Sequence, residues 1–204
     1  MTTLIEEGRV GKSVSPTVFP SIIFIFGPSG VGKSEFAQYL GDKLSFYHLE
    51  TDLPDRNGIL VENLKSEWSM LIKDCDAVPI RNALRNRISK LQTSGLIVSF
   101  SSVVCLSDKH LITLLQNEIA PIILFAEKHH CLCSFLQREN ETKRNLDASH
   151  WYRHNKHFNE FGRTGIEQFR VWMYEGEERK THSQLYCEIK RVIEEMLNSS
   201  LAWK

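Results

Sequence analysis

The sequence lacks a charge excess and a long apolar run. Its 204 residues carry 25 basic and 25 acidic side chains, so the formal net charge is zero. A general nucleic-acid-binding protein usually has a basic excess, so we expect no nucleic-acid partner, although a local basic patch stays open. No stretch approaches the roughly 18 apolar residues of a membrane span, so we expect no membrane partner.

Cysteine is also scarce, and its count is odd. The five cysteines form no dense framework, which favours reduced thiols and a cytoplasmic setting. The first residues include acids and no long apolar segment, so we expect no signal peptide there. Apolar residues make up 42% and charged residues 25%, as in an ordinary globular domain.

The length predicts one domain that follows an irregular leader. Residues 1–20 contain Pro16 and Pro20 and show no periodic pattern, whereas residues 21–204 alternate between short apolar runs and helical spacing. The apolar runs predict five strands: Ser21–Phe26, Phe46–Asp52, Leu96–Phe100, Pro121–Ala126 and Phe169–Tyr174. The helical spacing covers residues 33–44 and about 78–93, 107–118, 127–139 and 180–197. This alternation predicts an α/β fold with a parallel sheet and helices on both faces.

Two segments exceed a minimal strand–helix alternation. One runs from about 53 to 95, and the other, which is polar, from about 138 to 165. Both follow strands at the carboxyl edge of the predicted sheet, where open parallel sheets bind ligands. We expect both segments to border the ligand-binding site.

One glycine-rich turn predicts a phosphate site. The first strand leads into G-x-x-x-x-G-K-S and then into a helical pattern, the context that a phosphate-binding loop requires. Backbone N–H groups of such a loop and the helix N-terminus bind phosphate oxygens. Lys33 can then reach the β- and γ-phosphates, which makes it a catalytic candidate, and the Ser34 hydroxyl can bind Mg²⁺. The predicted ATP-binding residues are Gly27, Pro28, Ser29, Gly30, Val31, Gly32, Lys33 and Ser34.

Two acids close the second predicted strand. Glu50 and Asp52 stand at i and i+2, so their side chains point to the same side of a strand. Beside a Mg-nucleotide, one carboxylate can hold the water shell of the metal while the other accepts a proton from a hydroxyl. The alternative is that both are solvated residues at a strand end.

The order of these features resembles the shikimate kinase and gluconate kinase group, small relatives of the nucleoside monophosphate kinases. The resemblance covers about residues 21–197 and implies a three-layer P-loop kinase fold with a five-stranded parallel sheet. It also implies that residues 53–95 form an acceptor-binding insertion and that residues 138–165 form a lid. It implies Mg²⁺ near Ser34 and Glu50, with Asp52 as the catalytic base that faces the acceptor.

The same resemblance assigns three arginines. "NETKRNLD" is similar to the lid motif of shikimate kinases, which implies that Arg144 lies over the transferred phosphate. "IRNAL" matches the acceptor-clamp motif loosely and implies that Arg81 binds the acceptor. "YRHNKHF" falls where the group has another acceptor-binding arginine, here Arg153.

The chain departs from the shikimate kinase pattern after the third strand. It has Ser101-Ser102-Val103 where those enzymes have three glycines, and Leu84 replaces the acid that follows the clamp arginine. Phosphoryl transfer stays compatible with these changes, but the acceptor is open among polyols, sugar acids and nucleosides.

Histidines suggest two possible metal sites, and each has an alternative interpretation without a metal. His150, His154 and His157 share one helical face, which predicts either a metal site or polar lid contacts. "HHCLC", residues 129–133, opens a helical pattern that puts its two cysteines on different faces, which favours helix packing over metal binding.

The sequence as a whole predicts an enzyme that moves the γ-phosphoryl group of ATP, with Mg²⁺, to a hydroxyl group of a small molecule. One alternative is a nucleoside or nucleotide kinase. The other is a regulatory P-loop module that binds nucleotide without an acceptor. The third predicted strand offers no acid to hold metal, which disfavours a partner-coupled ATPase.

Overall fold

The structure is a computed structural model that describes residues 19–51, 64–101, 104, 106–142 and 146–201. The predicted leader therefore lies outside the described residues, apart from Phe19 and Pro20.

A parallel sheet of five strands forms the centre of the fold. All neighbouring pairs are parallel, and the order across the sheet is β2-β3-β1-β4-β5. This confirms the predicted five-stranded parallel sheet. The strands are β1 (Ile22–Phe26), β2 (Tyr47–Glu50), β3 (Leu96–Ser99), β4 (Ile119–Phe125) and β5 (Arg170–Trp172).

Helices cover both faces of this sheet, which gives the predicted three-layer α/β architecture. Among the described residues, no helix combines the length and the apolar character that a membrane span requires. The helices are α1 (Lys33–Leu44), α2 (Lys65–Asp74), α3 (Val78–Leu91), α4 (Asp108–Gln116), α5 (Lys128–Glu141), α6 (Ala148–Gly162) and α7 (His182–Leu201).

The region after α6 differs from the sequence prediction. A 3₁₀ turn at Glu167–Phe169 precedes β5, so the fifth strand is shorter than the predicted Phe169–Tyr174. Tyr174 instead opens a separate antiparallel hairpin of β6 (Tyr174–Glu175) and β7 (Glu178–Arg179). Two-residue strands are too short for a period-2 pattern, so the sequence gives no signal for this hairpin.

The core is built on strands that are buried on both faces. All five residues of β1 and all seven of β4 are buried, as their continuous apolar sequences predict. The ring of Phe100, which follows β3, stacks on Phe26 at 4.7 Å and on Trp68 of α2 at 4.9 Å. These rings hold α2 over the carboxyl ends of β1 and β3.

The strand register places three chain segments at one edge. Glu50, the last residue of β2, pairs with Ser99 of β3, and Ser99 pairs with Ile25 of β1. The loop that follows β1 therefore starts beside the end of β2, as expected for a ligand site in an open parallel sheet.

Candidate functional site

The glycine-rich turn joins β1 to α1, and its glycines are required by both conformation and space. Gly27, Gly30 and Gly32 have φ values of 148°, 82° and 94°. Residues that carry a side chain rarely adopt such backbone angles. A Cβ atom on Gly30 would lie 2.1 Å from the carbonyl oxygen of Cys131 in α5. A Cβ atom on Gly27 would lie 2.3 Å from the Leu124 carbonyl oxygen in β4. The turn is thus pressed against neighbouring backbone and can curl as a phosphate loop does.

Lys33 begins α1 and folds back across this turn. Its Nζ atom donates hydrogen bonds to the carbonyl oxygens of Gly27 and Pro28, both at 3.0 Å. The ammonium group is therefore held over the loop, within reach of any phosphate that the loop amides bind. Contact of Lys33 with the β- and γ-phosphates stays a prediction.

The two predicted metal residues lie in contact. The Ser34 hydroxyl in the first turn of α1 donates a hydrogen bond to Oε1 of Glu50 at the end of β2. A hydroxyl and a carboxylate oxygen are hard ligands of the kind that Mg²⁺ accepts. The residues present therefore fit a magnesium ion beside the phosphate loop. The sequence predicted Ser34 from the glycine-rich motif and Glu50 from the acids that close the second strand, but not the hydrogen bond between them.

Two predicted catalytic residues, Asp52 and Arg144, lie outside the described residues, so their roles stay predictions. The chain next to Asp52 is described: the Thr51 amide donates to the Ser99 carbonyl oxygen at 3.0 Å. The Ser101 amide donates to the Thr51 hydroxyl at 3.4 Å. The chain that leads to Asp52 is therefore held against the end of β3 as far as Thr51.

The two predicted acceptor arginines differ in their surroundings. Arg81 lies in the first turns of α3, half-buried, and its Nε atom is buried without a hydrogen-bond partner. Arg153 is exposed on α6, and its guanidinium turns back to the carbonyl oxygen and the hydroxyl of Ser149, at 3.3 and 3.4 Å. Binding of an acceptor by either arginine stays a prediction.

Arg138 is a contact with the phosphate loop that the sequence did not single out. Its guanidinium donates to the Ser29 hydroxyl at 3.3 Å and pairs with the buried Glu139 carboxylate at 2.9 Å. Cys131, whose carbonyl oxygen packs under Gly30, lies seven residues earlier on α5. Because seven residues span about two helical turns, α5 contacts the phosphate loop at two places, at Gly30 through Cys131 and at Ser29 through Arg138.

A second cation approaches the loop from the hairpin. The Arg179 guanidinium pairs with Glu35 of α1 at 2.6 Å and lies 2.9 Å from the position of a Cβ atom on Gly32. This hydrogen bond holds the pKa of Glu35 below its usual range. Sequence reasoning could not find this pair, because 144 residues separate its members.

The predicted histidine face does not gather into one site. Asp147 caps α6, because its carboxylate accepts from the His150 amide at 3.2 Å, and its own amide donates to Nδ1 of His150 at 3.3 Å, which completes a capping box. His154 is buried against Phe135, with ring centroids 5.0 Å apart, and burial lowers its pKa. Within the described part of the chain, these histidines do not form a metal-binding group.

The "HHCLC" segment lies in the first turns of α5, as its helical pattern predicts. Burial raises the pKa of the Cys131 thiol to about 12, so this sulfur stays protonated and is a poor metal ligand. His129 and His130 nevertheless lie together with Glu177 of the hairpin, in the metal-compatible group found among the described residues. The sequence interpretation, which favoured helix packing alone, missed this grouping because Glu177 is distant in the chain.

Comparison with solved structures returns kinases of the P-loop class. A gluconokinase from Sinorhizobium meliloti 1021 is 15% identical, with a TM-score of 0.49 over 91% of this chain and 98% of that one. A tunicamycin resistance protein from Deinococcus radiodurans is 17% identical, with a TM-score of 0.50 over 84% and 95%. A shikimate kinase from Bacteroides thetaiotaomicron is 14% identical, with a TM-score of 0.45 over 84% and 97%.

The chain has the P-loop kinase fold. At these identities the likeness concerns the fold alone. No model of a protein family matches the sequence, and no curated protein matches it either.

Proposed function

We propose that this protein transfers the γ-phosphoryl group of ATP to a hydroxyl group of a small molecule, with Mg²⁺ as cofactor. The observation that supports this most is the joint geometry of Lys33 and the Ser34–Glu50 pair. It places a cation over the phosphate loop and two hard oxygen ligands beside it.

The phosphate loop would bind and orient the nucleotide. Its amides and the N-terminus of α1 bind the β-phosphate, and Lys33 moves from the loop carbonyls to the β- and γ-phosphate oxygens. Ser34 and Glu50 would hold Mg²⁺, which neutralises charge on the phosphate oxygens when bound. Arg138 at Ser29 and Arg179 near Gly32 add positive charge at the rim.

The acceptor would enter at the ends of β2 and β3. Its oxygen attacks the γ-phosphorus, a new P–O bond forms as the bond to ADP breaks, and Asp52 takes the hydroxyl proton. Arg144 would neutralise the charge that spreads over the γ-phosphoryl oxygens. Arg81 and Arg153 would position the acceptor. A buried Nε atom without a partner on Arg81 supports its availability for a ligand.

A nucleoside is a second candidate acceptor, because stacked rings lie on the acceptor side. Trp68 is half-buried, and its ring stacks on Phe100 with an angle of 28° between the two planes. It belongs to α2, which begins directly after residue 64, the first described residue of the predicted acceptor-binding insertion. A flat base can stack on such a ring, whereas a polyol or a sugar acid gains little from it.

A panel of polyols, sugar acids and nucleosides tests both acceptor classes by ADP release. For a nucleoside acceptor, Trp68→Leu should raise the KM for the nucleoside and leave the KM for ATP unchanged. Trp172→Leu, at an exposed tryptophan of β5, is the matched control. If the acceptor is a polyol or a sugar acid, its KM should be the same for the parent, Trp68→Leu and Trp172→Leu.

We also propose a cytoplasmic location, supported by the four described cysteines, which are free thiols. A nucleotide-dependent regulatory module is the rival from another class. It would bind ATP, but no acceptor would stimulate release of ADP.

A further inference from the structure

Three potential metal ligands meet where α5 approaches the β6–β7 hairpin. His129 and His130 lie in the first turn of α5, and Glu177 lies at the tip of the hairpin. One ligand atom from each residue lies within 4.8 Å of the other two. None of the three belongs to the phosphate loop or to the predicted acceptor residues.

The distances in this cluster suit metal coordination better than direct hydrogen bonds. Nε2 of His129 lies 3.5 Å and Nε2 of His130 lies 3.6 Å from the same Glu177 oxygen, Oε2. Ordinary N–H···O bonds measure about 2.7–3.2 Å. Ligands about 2.0–2.1 Å from a tetrahedral zinc ion lie roughly 3.3–3.4 Å apart, close to the observed separations.

The ring of His130 is oriented toward the cluster by its packing. It stacks on Tyr174 of β6, with centroids 3.8 Å apart and planes inclined by only 7°. Its Nε2 atom is buried and has no hydrogen-bond partner. A buried nitrogen without a partner destabilises the fold unless a ligand satisfies it.

We propose that His129, His130 and Glu177 bind a zinc ion that fastens the hairpin to α5. Two imidazole nitrogens and one carboxylate are ligands that zinc prefers, and a water molecule would complete four-coordination. Mg²⁺ prefers oxygen ligands, so the ion at Ser34 and Glu50 is chemically distinct from this one.

The hairpin has a structural need for such an anchor. Its two strands have two residues each, and an isolated pair of strands is marginally stable at best. Arg179, two residues after Glu177, contacts Glu35 and approaches Gly32. The zinc ion therefore holds the element that presents Arg179 to the phosphate loop.

The test is titration of Zn²⁺ into the untagged, chelator-treated full chain, by calorimetry and by thermal unfolding. We expect one ion per chain, a higher Tm on binding, and no displacement by excess Mg²⁺. Glu177→Gln keeps the shape of an exposed side chain and should weaken zinc binding by about tenfold or more. It should also abolish the Tm increase. His129→Ala and His130→Ala should act in the same direction.

Control variants separate this cluster from other zinc ligands. His157→Ala alters the predicted histidine face, Cys133→Ser removes an exposed thiol of α5, and Glu50→Gln alters the predicted magnesium site. All three should bind Zn²⁺ like the parent chain. The proposal is overturned if the parent binds no Zn²⁺, if Glu177→Gln binds it as tightly as the parent, or if a control variant loses binding. Because zinc binding is read without ATP or acceptor, its failure would leave the proposed kinase activity standing.

Discussion

The proposed nucleotide side and the proposed acceptor side of this molecule differ in which parts of the chain form them. On the nucleotide side, the proposed binding groups are backbone amides of a turn with three glycines at positive φ, and they occupy eight consecutive residues. On the acceptor side, the candidate residues are single side chains spread from Asp52 to Arg153. A site made of backbone has a recognisable sequence spacing, whereas a site made of scattered side chains has none. The activity class is therefore easier to propose than the acceptor.

The largest effect should come from the one side-chain cation inside the phosphate loop. Lys33→Ala should abolish detectable turnover and weaken ATP binding, because Lys33 is held over the loop at 3.0 Å from two of its carbonyl oxygens. Lys43→Ala, in the last turn of the same helix, should behave like the parent. Turnover and ATP Kd measure this directly. Parent-like turnover in Lys33→Ala would mean that the nucleotide side is misassigned.

The acceptor side should show a different signature, a loss of rate without a loss of nucleotide affinity. Arg144→Ala should lower kcat on the order of 10²- to 10³-fold, because the proposed role of Arg144 is to neutralise charge that develops in the transition state. ATP Kd should change little. Steady-state rates and calorimetry on the same preparations test this. Weaker ATP binding with no acceptor-dependent rate would favour the regulatory module.

Gly30 tests whether the phosphate loop depends on the helix packed against it. Gly30→Ala should cost roughly 3 kcal/mol of folding stability. The added Cβ atom would collide with the Cys131 carbonyl oxygen, and alanine would be held at a φ angle that is unfavourable for it. Gly165→Ala, also at positive φ but with nothing within 4 Å, should cost only about 1 kcal/mol. Urea unfolding of both variants gives the difference. Equal costs would show that space at Gly30 is not limiting.

Glu50, the last residue of β2, and Asp52, two residues later in the sequence, should have different roles. Asp52→Asn should lower kcat by about 10²-fold and spare ATP affinity, as expected for a lost general base. Glu50→Gln should instead raise the Mg²⁺ concentration needed for half-maximal rate, because Glu50 contacts Ser34. Initial rates over a Mg²⁺ series distinguish the two. Small, equal effects would support the alternative of a solvated strand end.

The smallest effect concerns the Arg179–Glu35 pair. Arg179 lowers the pKa of Glu35, so the pair stabilises the folded state above the usual carboxyl pKa. This contribution is lost as pH falls through the lowered pKa. Both side chains are substantially exposed, so Glu35→Gln should cost only about 0.5 kcal/mol near pH 7. In urea unfolding, the difference from the parent should shrink as the pH is lowered below the ordinary carboxyl range and vanish once Glu35 is protonated in the folded state. Glu195→Gln, at an exposed pair on α7, is the matched control.

Local sequence patterns were sufficient for the sheet and for the phosphate loop. The apolar runs of β1 and β4 and the spacing from Gly27 to Ser34 each depend on neighbours in the chain. The β6–β7 hairpin was missed because two-residue strands carry no periodicity. The contacts of Arg138 with Ser29 and of His130 with Glu177 were missed because packing, not spacing, creates them.

Phosphoryl transfer is measured most directly with ATP that carries a radioactive γ-phosphate, by following where the label goes. The chain is incubated with Mg²⁺ and with a panel of polyols, sugar acids and nucleosides, and the products are separated. If the protein is a small-molecule kinase, label should appear in one acceptor class, and this labelling should require Mg²⁺ and be absent with Lys33→Ala. Tight ATP binding with no labelled acceptor and no acceptor-stimulated release of ADP would contradict it.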